Sequence, residues 1–124
     1  MAESASGEIK KFRVVAIAGS LRAKSFNKMI LRTVVELLEQ QGVEVTTYDL
    51  GAPGLPLINE DLEEKQADGT LKFPAEVEEF RRIVAESDGV ILATPEYNFS
   101  ISAPMKNALD WLSRPANALQ GKVR

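Results

Sequence analysis

Phe12-Arg13-Val14-Val15-Ala16-Ile17-Ala18, ended by Gly19 and followed by Ser20-Leu21-Arg22-Ala23-Lys24-Ser25-Phe26-Asn27, is the stretch on which the fold turns. Its first half is a short β-rich run whose hydrophobicity is continuous rather than alternating. That pattern suits a strand buried on both faces of a parallel sheet. Downstream, Met29, Ile30, Thr33, Val34, Leu37 and Leu38 recur at helical spacing, with Lys28, Arg32, Glu36 and Glu39 between them. Gly42 stands where a helix stop belongs. Val43-Glu44-Val45-Thr46-Thr47-Tyr48 then reads as a second strand. Strand, helix, strand predicts a βαβ unit with a right-handed crossover.

Beyond this unit, Asp49 to Phe73 is irregular, broken by Gly51, Pro53, Gly54 and Pro56 and acidic from Glu60 to Gly69. A long surface excursion is expected, with one helical turn near Leu62, serving function or merely tolerated. Pro74 opens a second helix, whose Val77, Phe80, Ile83 and Val84 share one face opposite charges. Ser87-Asp88-Gly89 ends that helix, and Val90-Ile91-Leu92-Ala93-Thr94 is a third buried strand. A third helix begins near Pro104, an early-helix residue by preference. Its Met105, Ala108, Leu109, Trp111 and Leu112 read as core. Gly121-Lys122-Val123-Arg124 reads as the first step into a fourth strand. There is no internal repeat. Alternating β and α elements predict an α/β fold, a doubly wound parallel sheet covered on both faces. Residues 1–11 read as a flexible leader and 12–124 as the N-terminal part of one domain.

Composition removes whole classes of chemistry. At 124 residues the chain is about one domain, and its net charge of −3 carries no basic run, so nucleic acid is not an expected partner. No apolar stretch approaches membrane-spanning length, and Met1 to Glu8 lacks the order of a secretory signal. A cytoplasmic location and no membrane partner are expected. There is no cysteine and no histidine. Disulfides, thiolate catalysis, Cys- or His-ligated metals and Ser-His-Asp hydrolysis are thereby excluded. No catalytic side chain and no metal site are assigned, so the difficult chemistry of an enzyme here would belong to a cofactor.

In doubly wound sheets, ligands sit beyond the carboxyl ends of the strands where the winding reverses. Two loops fall there. The first, Ser20 to Asn27, matches neither the triphosphate-binding nor the dinucleotide-binding glycine pattern. It offers Ser20, Ser25 and Asn27 as hydrogen-bond donors and Arg22 as a charge, just before a helix N-terminus that favours an anion. The competing reading is a plain turn, with Ser25 as N-cap and Arg22 solvated. The second loop, Pro95-Glu96-Tyr97-Asn98-Phe99-Ser100, has a stiffening proline. It also has backbone groups for the edge of a flat heterocycle, a Tyr97 ring, and an Asn98 that donates and accepts. Its competing reading is a capped loop, with Ser100 or Ser102 capping the next helix and Tyr97 half-buried.

Together, Gly19-Ser20-Leu21-Arg22-x-x-Ser25-Phe26-Asn27 and the run from Pro95-Glu96-Tyr97-Asn98-Phe99-Ser100 to Asp110-Trp111-Leu112-Ser113-Arg114 closely resemble the NADPH-dependent FMN reductase family. That family includes soluble quinone, chromate and azo-dye reductases. The resemblance runs from about Arg13 to the chain end, and Leu55-Pro56-Leu57-Ile58-Asn59 is in keeping with the quinone reductases. It implies a flavodoxin-like fold with strand order 2-1-3-4-5. It implies that Ser20, Arg22, Ser25 and Asn27 hold the FMN phosphate, with Phe26 contributing loop backbone. Pro95, Glu96, Tyr97 and Asn98 would line the flavin ring. Such members take hydride from NADPH or NADH, pass it to a quinone-like small molecule in a ping-pong scheme, and form homodimers or homotetramers. The departure lies at the C-terminus: the family's last strands, second flavin-contacting loop and final helix are missing from this chain. Weak FMN binding, or completion of the sheet by a partner copy, is therefore expected. Alternatives are a truncated non-catalytic isoform or a flavin-binding electron carrier.

Overall fold

The computed structural model describes residues 10–51 and 54–123. Residues 1–9 of the leader, Pro53 among the loop breakers, and Arg124 lie outside the described residues. Strand β1 (Arg13–Ala18) is buried at five of its six positions, as its continuous apolar run requires. Helix α1 (Phe26–Gln40) follows, then β2 (Glu44–Asp49), one residue later than its pattern suggested. The excursion carries the expected helical turn, a 3-10 turn at Glu60–Leu62. It also holds an unforeseen antiparallel hairpin of β3 (Glu64–Lys65) and β4 (Leu71–Lys72). Asp68 makes that hairpin by accepting from both the backbone and the hydroxyl of Thr70, while Gly69 takes φ +87°. Two-residue strands are too short to show a period, so the pattern could not reveal them.

Helix α2 (Ala75–Ala85) and strand β5 (Gly89–Ala93) come next. They are followed by a second small hairpin, β6 (Glu96–Tyr97) and β7 (Ser100–Ile101), and helix α3 (Ala103–Leu112). The main sheet is parallel in the order β2-β1-β5, with Ala18 opposite Asp49 on one side and Ala93 on the other. At the outer edge of β5, Val123 forms a parallel bridge to Gly89, with Val90 N–H to Val123 C=O at 2.9 Å. Of the expected fourth strand, Val123 thus makes one bridge, and Arg124 lies outside the described residues. Helix α1 stands on one face, where Leu31 and Val35 pack on Ala16 and Ala18. Helices α2 and α3 cover the other, where Phe80, Val84, Met105, Ala108 and Leu112 meet Val15, Ile17 and Val90.

The face of α1 differs from the one its sequence suggested. Leu31 is buried and Val34, Val35 and Leu38 are half-buried, whereas Met29, Ile30, Thr33 and Leu37 are exposed. Leu31 packs on Ala16 and Ala18 of the central strand, with Val45, Ile91 and Ala93 around them. On α2, Val77, Phe80 and Val84 are buried as their spacing predicts, and so is Arg81. Its guanidinium donates to the carbonyls of Trp111 (2.5 Å), Ala116 (2.8 Å) and Pro115 (3.1 Å), closing the end of α3. The same group lies 4.3 Å over the Phe73 ring. Burial lowers the Arg81 pKa, an effect that Glu78 and Glu63 oppose. Among the described residues no helix is long and apolar enough to cross a membrane.

Candidate functional site

The chain runs from β1 to its neighbour β2 on one side, then returns to β5 on the other side of β1. The winding direction therefore reverses between β1 and β5, and the crevice beyond their carboxyl ends is the expected ligand position. Both loops singled out in the sequence leave from this point. Gly19 N–H extends the pairing by donating to Ala93 C=O at 2.6 Å, so the loops diverge from adjacent backbone.

In the first loop, Ser20 and Ser25 are buried while Leu21, Arg22, Ala23 and Lys24 are exposed. Ser20 Oγ accepts the Arg22 N–H at 3.3 Å, folding the loop back on itself. Ser25 is the N-cap of α1, its Oγ accepting the Lys28 N–H at 3.5 Å. The turn-and-cap reading is therefore correct, yet it does not consume the site. Each hydroxyl here uses a lone pair as acceptor and, among the described residues, its proton is not donated. The first turn of a helix also leaves N–H groups without intrahelical acceptors. Lys28 and Met29 are served by Ser25, which leaves Phe26 and Asn27. Asn27 is half-buried in that turn, and Phe26 projects outward at 72 % exposure. Lys28 pairs with Asp49 at 3.7 Å, while among the described residues no ion pair engages Arg22 or Lys24. Two hydroxyl protons, two free amides, a helix N-terminus and two uncommitted cations form a donor set suited to a phosphate monoester.

The second loop is the β6–β7 hairpin. Pro95 is half-buried, and Glu96, Tyr97, Asn98 and Phe99 are exposed. Tyr97 is thus more exposed than the half-buried alternative held. Asn98 and Phe99 at the tip take φ 52° and 64°, the left-handed pair of a tight hairpin turn. Asparagine tolerates that region well and phenylalanine does not. Phe99 is also 97 % exposed. Between the competing caps the structure selects Ser102, which caps α3 through Met105 N–H at 3.3 Å.

Two features of the surroundings escaped the sequence reading. Thr94 and Ser102 join the loops from beneath: Thr94 Oγ1 lies 2.9 Å from Pro95 C=O, and Ser102 Oγ donates to Gly19 C=O. The second is the anchoring of the excursion. Asn107 accepts from Ile58 N–H at 2.7 Å and donates to Pro56 C=O at 2.9 Å, which also accepts from Trp111 Nε1 at 2.8 Å. One turn on, Arg114 grips Glu63 at 2.6 Å. The spacing of Asn107 and Trp111 on one face of α3, with Arg114 just past its end, was the available signal, but nothing local names the partners.

The NADPH-dependent FMN reductase family model matches residues 12–124. The chain is 46 % identical over 112 residues to an NADPH:quinone oxidoreductase of Arabidopsis thaliana, covering 89 % of this chain and 54 % of that one. It is 40 % identical over 114 residues to a quinone reductase of Escherichia coli (strain K12), covering 91 % and 57 %. Among solved structures it superposes on the flavoenzyme NAD(P)H:(acceptor) oxidoreductase FerB of Paracoccus denitrificans with a TM-score of 0.70 at 34 % identity, over 90 % and 57 %. The chain spans about half the length of the curated relatives it matches.

Proposed function

The chain belongs to the NADPH-dependent FMN reductase family, and on that premise we propose that it forms part of an FMN-dependent NAD(P)H oxidoreductase reducing quinones or related acceptors. Residues 12–124 make up part of the FMN-binding domain in this reading, with 1–11 as its leader. The observation that carries it is the unused donor set of the first loop, placed beside an open, backbone-rich hairpin at the reversal of the sheet.

Ser20 and Ser25 would donate their free protons to the phosphate, with the Phe26 and Asn27 amides completing the cradle and Arg22 supplying charge. Pro95 fixes the start of the hairpin, and the main chain of Glu96, Tyr97 and Asn98 would meet the ring edge. When bound, FMN supplies hydride acceptance from NADPH or NADH and its delivery to the acceptor. The absence of cysteine and histidine is compatible with that division of labour. A second copy of the chain is the proposed partner, and Phe99, exposed at the hairpin tip, is a side chain it would cover.

Titrating the purified protein with FMN tests the reading directly. Saturable quenching of flavin fluorescence at one FMN per chain is expected, followed by bleaching of the bound flavin on anaerobic addition of NADPH. No saturable binding would overturn the site; binding without bleaching by either nicotinamide nucleotide would overturn the reductase.

A further inference from the structure

The two loops belong to segments far apart in the chain, yet a pair of hydroxyls holds them together. Ser102 is 1 % exposed. Its Oγ donates to Gly19 C=O at the root of the first loop and accepts Met105 N–H at 3.3 Å, beginning α3. Ser102 N–H donates to Thr94 Oγ1 at 3.2 Å, and Thr94 Oγ1 lies 3.3 Å from Ser102 Oγ and 2.9 Å from Pro95 C=O. Three chain segments thus converge: Gly19 before the first loop, Thr94-Pro95 entering the hairpin, and Ser102 leaving it. The approach is close enough to dictate residue type. A Cβ on Gly19 would stand 2.8 Å from Thr94 Oγ1 and 3.0 Å from Ser102 Oγ.

We propose that Ser102 and Thr94 are positioning residues, a hydroxyl clamp that holds the first loop and the hairpin in register so that both ends of one ligand are met at once. The inference rests on the FMN reading given above and adds to it a basis for preferring FMN over the phosphate-free flavin. A ligand touching two sites gains affinity from their fixed spacing, whereas a ligand touching only one does not. Neither hydroxyl needs to reach the ligand. Loosening the clamp should therefore weaken FMN while sparing riboflavin, which engages the hairpin alone, and inorganic phosphate, which engages the first loop alone.

The test compares Thr94→Val, Thr94→Ser and Ser102→Ala with the native chain. FMN affinity is expected to fall about tenfold in Thr94→Val and Ser102→Ala, the usual worth of one buried hydrogen bond, and to recover in Thr94→Ser. Riboflavin and phosphate affinities should stay within about twofold of native, well inside that one-bond effect. Equal losses for FMN and riboflavin, or no loss, would overturn the clamp. Amide hydrogen exchange supplies a readout free of flavin: faster exchange at residues 19–22 supports the clamp, and change confined to 100–105 overturns it. Should the native chain bind neither flavin, the functional reading falls and exchange alone decides the clamp. If Ser102→Ala fails to fold, Thr94→Val carries the same comparison.

Discussion

Ser25 caps α1 with its oxygen as an acceptor, and in the proposed site the same hydroxyl would give its proton to an anion. The tasks separate by substitution. Ser25→Ala removes both and should cost ~1 kcal/mol of stability, the typical worth of an N-cap, together with about tenfold in FMN affinity. Ser25→Asp keeps a good cap but sets a carboxylate against the phosphate. Its urea midpoint should stay near native while flavin binding disappears. Equal binding by Ser25→Asp and native protein would remove Ser25 from the phosphate site. Single residues also mark the limit of sequence reading. Ser25 was legible because capping is local, whereas Arg81 was not. Its sequence neighbours describe an exposed helical charge, and only the carbonyls of residues 111–116, some thirty positions on, make it a buried one.

At the level of elements, the β6–β7 hairpin is held by a turn that one of its residues resists. Phe99 at φ 64° pays the left-handed penalty of a side chain with a Cβ, which glycine avoids. Phe99→Gly creates Asn-Gly, the favoured pair for this turn, and should raise stability by about 1 kcal/mol. It should also shift sedimentation toward the monomer if Phe99 anchors a second copy. A raised melting temperature with unchanged sedimentation would retain the strain and discard the anchor.

Another element-scale effect is the junction of β1 with the turn before β5. Asp88 accepts the Arg13 N–H at 2.8 Å and faces Lys10 at 3.7 Å. The backbone bond from Arg13 is the main cause that lowers the Asp88 pKa; burial opposes it, and the Lys10 and Arg13 charges add to the lowering. A depressed carboxylate stabilises the fold above its unfolded pKa, ~4 for aspartate, and that contribution is lost as pH falls through the folded pKa. Asp88→Asn should therefore flatten the decline in unfolding free energy below about pH 4. An unchanged acid slope would show that Asp88 is not linked to folding.

Across the whole molecule, the two faces of the sheet are unequally covered. Helices α2 and α3 bury Trp111, Phe80, Met105 and Leu112 completely, whereas among the described residues α1 alone serves the other face. Its Met29, Ile30 and Leu37 are between 45 % and 59 % exposed, beside Phe26. Exposed apolar residues contribute little to monomer stability, so Ile30→Lys with Leu37→Lys should change the unfolding free energy by less than about 1 kcal/mol. Binding of a dye specific for apolar surfaces should fall markedly at the same time. A loss of several kcal/mol would mean that this stripe is packed.

What the sequence determined by itself was whatever depends on neighbours along the chain. The continuous run at Val14–Ala18 set a doubly buried strand, the order of strands and helices set a parallel sheet, and Ser25 with the residues around it set a capped turn at the start of α1. Only the tertiary structure decided which side of α1 faces the sheet, because helical spacing is shared by neighbouring faces and only packing chooses between them. It alone decided that Arg81 is buried and that Asn107, Trp111 and Arg114 hold the excursion. It alone brought Gly19, Thr94 and Ser102 within hydrogen-bonding reach across more than eighty residues. Contacts between distant segments leave no period and no spacing in the sequence, since they arise only when packing brings the strand ends together.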